Sequence, residues 1–359
     1  MMRRRITAAA LILFLLLMAG CGAEQITSNG EDKAPPSQTT TNDSSTQPAP
    51  VETNQPREVV AEEDEVAASG EEVKPIATSS ENSFILHSSR DFGRETLNSR
   101  PVKLQSSGSL LDYMQEEWQV KTGFGGGFVQ GIDGLESANS SGNRYDWFFY
   151  VNGIVAPVGA DQIKPSSGHI IWWDYHRWSS GPGQSAIIGC YPQPLKDKGV
   201  TLLTTQRWTQ LALQCQKAMG ISGISSVEIL DIGQNMSRLD NPTAPVMVIG
   251  TWTELQENTY LKKWNESYRR NGSSVHFTDN GLDLLGVDGQ VQRTLGPGAG
   301  VIVASGQGMG DNNPLWLIAG VDDQGVKEAA QLLCAQPDEL AWKYGLAVQA
   351  GQITALPVD

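Results

Sequence analysis

The five residues Trp147-Phe148-Phe149-Tyr150-Val151, followed by Asn152-Gly153, are the clearest local constraint on the fold of this chain. Aromatic and β-branched side chains suit a pleated strand. Alternation along such a strand puts Trp147, Phe149 and Val151 on one face and Phe148 and Tyr150 on the other. Asn-Gly after the strand favours a tight turn, because both residues accept positive φ. A partner strand is written nearby, from Gly168 to His176. There His169, Ile171, Trp173 and Tyr175 share one face, and Ile170, Trp172, Asp174 and His176 share the other.

The rest of this region supplies one helix and further extended pieces. Phe84 to His87 reads as a strand, and Val102 to Gln105 as a second extended segment. Ser107-Gly108-Ser109 offers an N-cap for a helix in which Leu110, Leu111, Met114 and Trp118 recur at helical spacing. The glycines of 123–127 end that element, and Phe128 to Ile132 starts another strand. Strand, helix and then three strands within residues 83–180 is the order that a β-grasp domain requires.

Four motifs in this order carry a family resemblance: Arg90-Asp91-Phe92-Gly93, the helix start Ser109-Leu110-Leu111-Asp112, Trp147 to Gly153, and Gly168 to Tyr175. Together they resemble the transcobalamin-like C-terminal domain family, the smaller half of eukaryotic cobalamin carriers, which recurs in bacterial surface proteins. The family usually has Asp after the glycine that opens the last strand, and His169 stands there instead. The resemblance implies a vitamin-binding surface for a corrinoid or another large flat ligand. No bound cofactor is expected beyond such a cobalamin-like ligand.

Four of the ten tryptophans, Trp147, Trp172, Trp173 and Trp178, lie between residues 147 and 178, and aromatic rings give a flat ligand large contact area at small entropic cost. A small sheet under one helix also consumes bulky residues in its own core. Trp147, Phe149, Ile171, Trp173 and Tyr175 are therefore assigned to the core. Phe148, Tyr150, Trp172 and His176 are expected at the surface and, with Asn152 of the turn, form the candidate ligand-binding set. His169 and His176 face opposite sides of one strand, so joint ligation of a metal is not expected.

Beyond the Ser179 to Gln184 stretch, apolar runs alternate with helical patterns. Strands are expected at Ala186–Cys190, Val227–Ile232, Val246–Thr251, Gly300–Ser305 and Leu315–Val321, and helices at Gln206–Met219, Thr259–Asn271 and Val326–Cys334. Alternation of this kind indicates an α/β domain. Trp208, Leu211 and Cys215 make an inward stripe on the first helix, and Asp322-Asp323 marks the start of the last. Gly306-Gln307-Gly308-Met309-Gly310 superficially suggests a nucleotide loop, but it leads into Asp311-Asn312-Asn313-Pro314 and another strand rather than a helix, so a hairpin tip is expected. No GxSxG elbow and no HExxH pattern occurs, and the expectation is a protein that is not an enzyme, with no catalytic residues and no metal ligands.

The N-terminus sets location. Arg3, Arg4 and Arg5 precede an uncharged apolar run from Ala8 to Met18, which is too short for the roughly 20 residues of a spanning helix and reads as a secretory signal. Leu17-Met18-Ala19-Gly20-Cys21 resembles a bacterial lipobox, which implies cleavage before Cys21 and lipid attachment to its thiol. Residues 22–82 then carry 13 Asp or Glu against Lys33, Arg57 and Lys74, with no aromatic residue. Such a segment buries too little apolar surface to offset ordering entropy, and it is expected to be a disordered acidic tether. Cys190, Cys215 and Cys334 remain in the globular part, each in an apolar context; buried free thiols are expected, with one bridge left open.

The expected organisation is a signal peptide over 1–21, a tether over 22–82, a transcobalamin-like domain over 83–180 and a domain of unknown function over 181–359. The fold class is an α+β, β-grasp-like domain followed by an α/β domain. With a net charge of -14 there is no cationic footprint for nucleic acid. The expected function is a membrane-anchored, extracytoplasmic ligand-binding lipoprotein at the cell surface. Its partners are the lipid bilayer through Cys21, a small organic molecule of cobamide-like or similar class, and an importer that receives it. The alternative is an envelope scaffold or adhesion module that binds protein or wall polymer.

Overall fold

Asn152 and Gly153 both adopt positive φ, 54° and 81°, and reverse the chain after the aromatic strand. The structure, a computed structural model of the chain, describes residues 82–123, 126–140, 142–178 and 183–358. The expected signal segment with Cys21, and the expected tether up to residue 81, lie outside the described residues. All described residues belong to one compact unit, Gly70–Asp359.

The first lobe runs β1 (Ser83–Arg90), β2 (Glu95–Lys103), α1 (Leu110–Glu117), β3 (Val120–Gly123), β4 (Phe128–Ile132), β5 (Leu135–Glu136), β6 (Ala138–Ser140), β7 (Asn143–Val151), β8 (Ile154–Val155) and β9 (Ile170–Trp178). Its main sheet has the order β2-β1-β9-β7-β6, with β8 also paired to β7, while β3, β4 and β5 form a small sheet of their own. β1 lies parallel to β9, and β7 is antiparallel to β9. Helix α1 begins where the sequence places it. Ser109 Oγ accepts from the Asp112 N–H, and the Asp112 carboxylate accepts from the Ser109 N–H at 2.7 Å. This reciprocal cap contributes about 1 kcal/mol. The helix buries Leu110, Tyr113 and Met114 against Phe84, Leu86, Trp147, Ile171 and Trp173; of the five residues expected in the core, Trp147, Ile171, Trp173 and Tyr175 are buried and Phe149 is partly buried.

The second lobe continues with α2 (Leu195–Lys198), β10 (Val200–Thr204), α3 (Thr209–Ile221), β11 (Val227–Asp231), α4 (Ser237–Asp240), β12 (Val246–Thr251), α5 (Trp252–Leu255), α6 (Thr259–Glu266), β13 (Val275–Thr278), β14 (Gly281–Leu285) and β15 (Val291–Leu295). It closes with β16 (Gly300–Ser305), β17 (Leu315–Gly320), α7 (Asp323–Cys334), β18 (Gly345–Gln349) and β19 (Gln352–Leu356). The large sheet has the order β11-β10-β12-β17-β16-β18-β19. Its first four strands are parallel and the rest pair antiparallel. On one face α3 and α7 bury Cys215, Met219, Ala329 and Leu333 with Met247 and Ile249 of β12. On the other, α5, α6 and the β13–β15 sheet bury Trp252, Leu261, Phe277 and Leu282 with Val246 and Val248. With both faces covered, β12 and β17 read as unbroken apolar runs. The whole is a sheet-rich mixed α+β structure.

Several expectations change. Ala186–Cys190 is not a strand; only Ala186 bridges to Ile154, and the apolar run is instead a turning connector buried against both lobes. The helix from Thr259 stops at Glu266, with the next residues in turns, and Asn271 instead makes hydrogen bonds to Trp264 and Ser273. β10, β13–β15, β18 and β19 have no counterpart in the sequence reading. The glycine tract is the tip of the β16–β17 hairpin, as expected. Asp322 caps α7 by accepting from the Gly325 N–H. Among the described residues no helix is long and apolar enough to cross a membrane.

Candidate ligand-binding furrow

β1, β7 and β9 present one face to α1 and the opposite face to the second lobe. On this second face lie Ile85, His87 and Ser89 of β1, Phe148 and Tyr150 of β7, and Ile170, Trp172, Asp174 and His176 of β9. The sequence correctly separates the two faces but expects the second at the surface. Instead Tyr150, Trp172 and His176 are 1 %, 0 % and 3 % exposed, because Ile187, Cys190, Ala341, Trp342 and Tyr344 of the second lobe cover them. Trp172 meets Trp342 and Tyr344 edge to face. Close approach requires glycine here: a Cβ on Gly189 would stand 2.6 Å from the Trp172 ring and 2.5 Å from the Lys343 nitrogen.

A single fully buried carboxylate organises this junction. Asp174 accepts from the Ser89 hydroxyl, from the Phe92 and Gly93 N–H groups at 2.9 and 3.0 Å, and from the Tyr344 hydroxyl at 3.2 Å. His176 Nδ1 lies 2.7 Å from it. Burial alone raises the Asp174 pKa, but His176, the Ser89 hydroxyl and the Gly93 N–H together hold it below the ordinary carboxylate value. An ionised carboxylate only accepts, so His176 Nδ1 carries the hydrogen. Asp91, Phe92 and Gly93 all adopt positive φ; the Asp91 N–H donates to the Tyr175 carbonyl, and the successive N–H groups of Phe92 and Gly93 form an anion-binding nest that the protein fills with its own Asp174. The nest fixes Phe92 so that the His176 ring is stacked between Phe92, at 4.2 Å, and Phe148, at 4.4 Å. Ser89 donates to Asp174 rather than to His176, so Ser, His and Asp here form a positioning network with no base acting on the serine.

Above this stack the lobes leave a furrow. One part, about 270 Å³, is lined by Phe92, Phe148, Tyr150, His176, Trp178 and Met309, with Arg177, Gln184 and Ser185 supplying polar groups. A second part, about 430 Å³, is lined by Phe128, Trp147, Phe149 and the segment from Val155 to Gly159. Phe148, Val155, Trp178 and Met309 line both, so the two depressions adjoin. Met309, 71 % exposed, overhangs from the tip of the β16–β17 hairpin. The Gly310 N–H donates to the Val155 carbonyl at 2.9 Å, and Ser185 Oγ donates to the Gly306 carbonyl at 2.8 Å, which fixes the hairpin to β8 and the connector. Trp178, 36 % exposed, is held by its Nε1–H to Asp146 at 2.7 Å and by the Arg144 guanidinium over its ring.

Residues 108–177 match the family described as a domain of unknown function, DUF4430. The match runs from the N-cap of α1 almost to the end of β9, and it includes all five residues of the candidate ligand-binding set. No curated protein matches the chain. The DUF4430 segment thus supplies one wall of the furrow; Phe92, Trp178 and Met309 lie outside it.

Within the DUF4430 segment the structure brings Phe148, Tyr150 and His176 to the furrow. Trp172 lies beneath them, its Nε1–H donating to Ser89 Oγ at 2.7 Å. Asn152 is in the hairpin turn, where its side-chain oxygen accepts from the Ile170 N–H at 2.8 Å. His169 is also away from the furrow, with Nδ1 accepting from the Ser166 N–H, and burial lowers its pKa against the opposing charge of Asp197. Sequence reasoning missed Phe92, Trp178 and Met309 as furrow residues. The motif Arg90 to Gly93 and the glycine tract were each visible, yet neither shows where its turn lands in space. Among the described residues no group of three or more His, Cys, Asp or Glu is placed to hold a metal ion.

Proposed function

We propose that this chain is an extracytoplasmic binding protein, anchored by lipid on Cys21, that captures a flat and largely apolar organic molecule in the Phe148–Trp178–Met309 furrow. The observation that carries this reading is the collection of large apolar side chains, Phe128, Trp178 and Met309 among them, that stay open to solvent along two adjoining depressions. Exposed apolar surface gathered in one concave place, with a few polar groups at its rim, is the usual signature of a ligand site. Parallel pairing of β1 with β9, with α1 in the crossover between them, supports a β-grasp arrangement for the first lobe. The DUF4430 match supports the transcobalamin-like resemblance and, with it, a cobamide-like ligand.

Size narrows the ligand. Each part of the furrow falls near the lower end of the roughly 300–1,000 Å³ typical of small-molecule pockets. A corrin ring would therefore lie along the furrow with one face against Trp178 and Met309 rather than be enclosed. His176 is committed through Nδ1 to Asp174 and is clamped between two phenyl rings, so its role is to shape the floor. Delivery to an importer would follow from release at the open side.

The test is titration of the chain from residue 22 onward, which lacks the anchor cysteine, with cobalamin, cobinamide and a planar apolar dye while tryptophan emission is followed. Saturable quenching is expected, with affinity reduced about tenfold or more by Trp178→Ala. No change with any corrinoid, together with dye binding that Trp178→Ala leaves intact, would overturn the reading. The envelope-scaffold alternative would then be pursued through protein partners.

A further inference from the structure

Two of the three thiols in the second lobe meet. Cys215 is on the inward face of α3, wholly buried, and Cys334 is the last residue of α7, partly open to solvent. Both helices lie on the same face of the large sheet, where Cys215, Ala329 and Leu333 share one core and Cys334 packs against it. Their sulfurs are 2.9 Å apart. A disulfide needs about 2.05 Å, a difference within reach of a small side-chain rotation at each residue. Among the described residues no other thiol neighbours Cys190, which lies in the core between the lobes.

The geometry points to a disulfide between Cys215 and Cys334, a cross-link that ties α3 to α7 across 119 positions of the chain. The oxidant is a second disulfide, low-molecular-weight or protein-borne, of the kind available outside the cytoplasm. Cys334, the accessible partner, attacks as thiolate on one sulfur of that disulfide. The oxidant's S–S bond breaks, a mixed disulfide forms, and the first thiolate leaves. Cys215 then loses its proton and attacks the Cys334 sulfur, which expels the second thiolate. The oxidant takes up two electrons and becomes two thiols, whose protons replace those lost by Cys215 and Cys334. The order of attack agrees with the electrostatics: the Cys215 thiol hydrogen bond holds the Cys334 pKa down despite burial, while that same bond, with burial, pushes Cys215 up. None of this depends on the ligand-binding reading; the expected export serves only to name the compartment.

The experiment uses the chain with Cys21→Ser, which leaves three thiols. Native protein is incubated with oxidised glutathione, unfolded in denaturant, alkylated with iodoacetamide, digested and weighed. One alkyl group, on Cys190, is expected, with a single linked peptide pair holding Cys215 and Cys334 that dithiothreitol releases. Oxidation should raise the melting midpoint by roughly 5–10 °C. In Cys215→Ala the glutathione should remain on Cys334, and in Cys190→Ala the bridge should form as before, which provides a readout if the first variant folds poorly. Three alkylated cysteines after oxidation, or a bridge to Cys190, would overturn the proposal.

Discussion

His87 is the least comfortable residue at the lobe junction. Its ring stacks on Trp342 at 3.5 Å and 1° between planes, and neither ring nitrogen has a hydrogen-bond partner. Burial drives its pKa down to about 3, against the nearby charge of Asp174, which raises it. A folded-state value below the unfolded one means that the unfolded chain takes up a proton that the folded chain refuses. This destabilises the protein as pH falls from near 6.5 toward 3 and has no effect above that window, with a slope reaching about 1.4 kcal/mol per pH unit. His87→Phe keeps the stack and removes the titration. Urea midpoints between neutral pH and pH 4.5 should therefore fall less in this variant than in the parent; parallel slopes would refute the assignment. Asp174 acts lower. Its depressed value stabilises the fold above the ordinary carboxylate range and withdraws that support only as pH falls through the folded value.

At the scale of elements, the junction depends on how closely backbone can approach the Trp172 ring. Gly189→Ala would drive a methyl into that ring and into the Lys343 backbone and should cost about 1–3 kcal/mol. Gly220→Ala, in α3 with nothing within 4 Å of the added atom, should be neutral or slightly stabilising. Equal shifts in denaturation midpoint for the two would show that packing against Trp172 is not what requires the glycine. The same contrast explains what the sequence disclosed. Period-two alternation in Trp147–Val151 and Gly168–His176 assigned each ring to its face, and the cap at Ser109 and the apolar runs of β12 and β16 marked those elements closely. Alternation says that a face is apolar and is silent on what covers it, so Trp172 and His176 were expected at the surface. Val291–Leu295 is exposed in all but its last residue and Gln352–Leu356 buries only Leu356, so neither carries a full apolar face, and each is held as the second strand of a short hairpin whose turn was not read from the sequence. The furrow was legible on its β7 wall and illegible at its lip, because Met309 reaches it from a hairpin more than 100 residues away in sequence.

For the whole molecule, the central fact is that the first lobe owns only part of its own core. Tyr150, Trp172 and His87 are sealed by residues that come after position 186, most of all Trp342 and Tyr344. A fragment of residues 83–178 should accordingly bind a hydrophobic dye and lack a sharp melting transition, whereas the chain containing both lobes melts cooperatively. A monodisperse fragment with a steep transition and no dye uptake would show that the first lobe is self-sufficient. The buried carboxylate adds a dimension of time to this dependence. Of the groups that satisfy Asp174, one belongs to Tyr344, so a chain that appears N-terminus first carries an unsatisfied carboxylate and a sticky aromatic wall until nearly its last stretch arrives. Until then the half-finished protein offers the kind of apolar surface that a holdase binds.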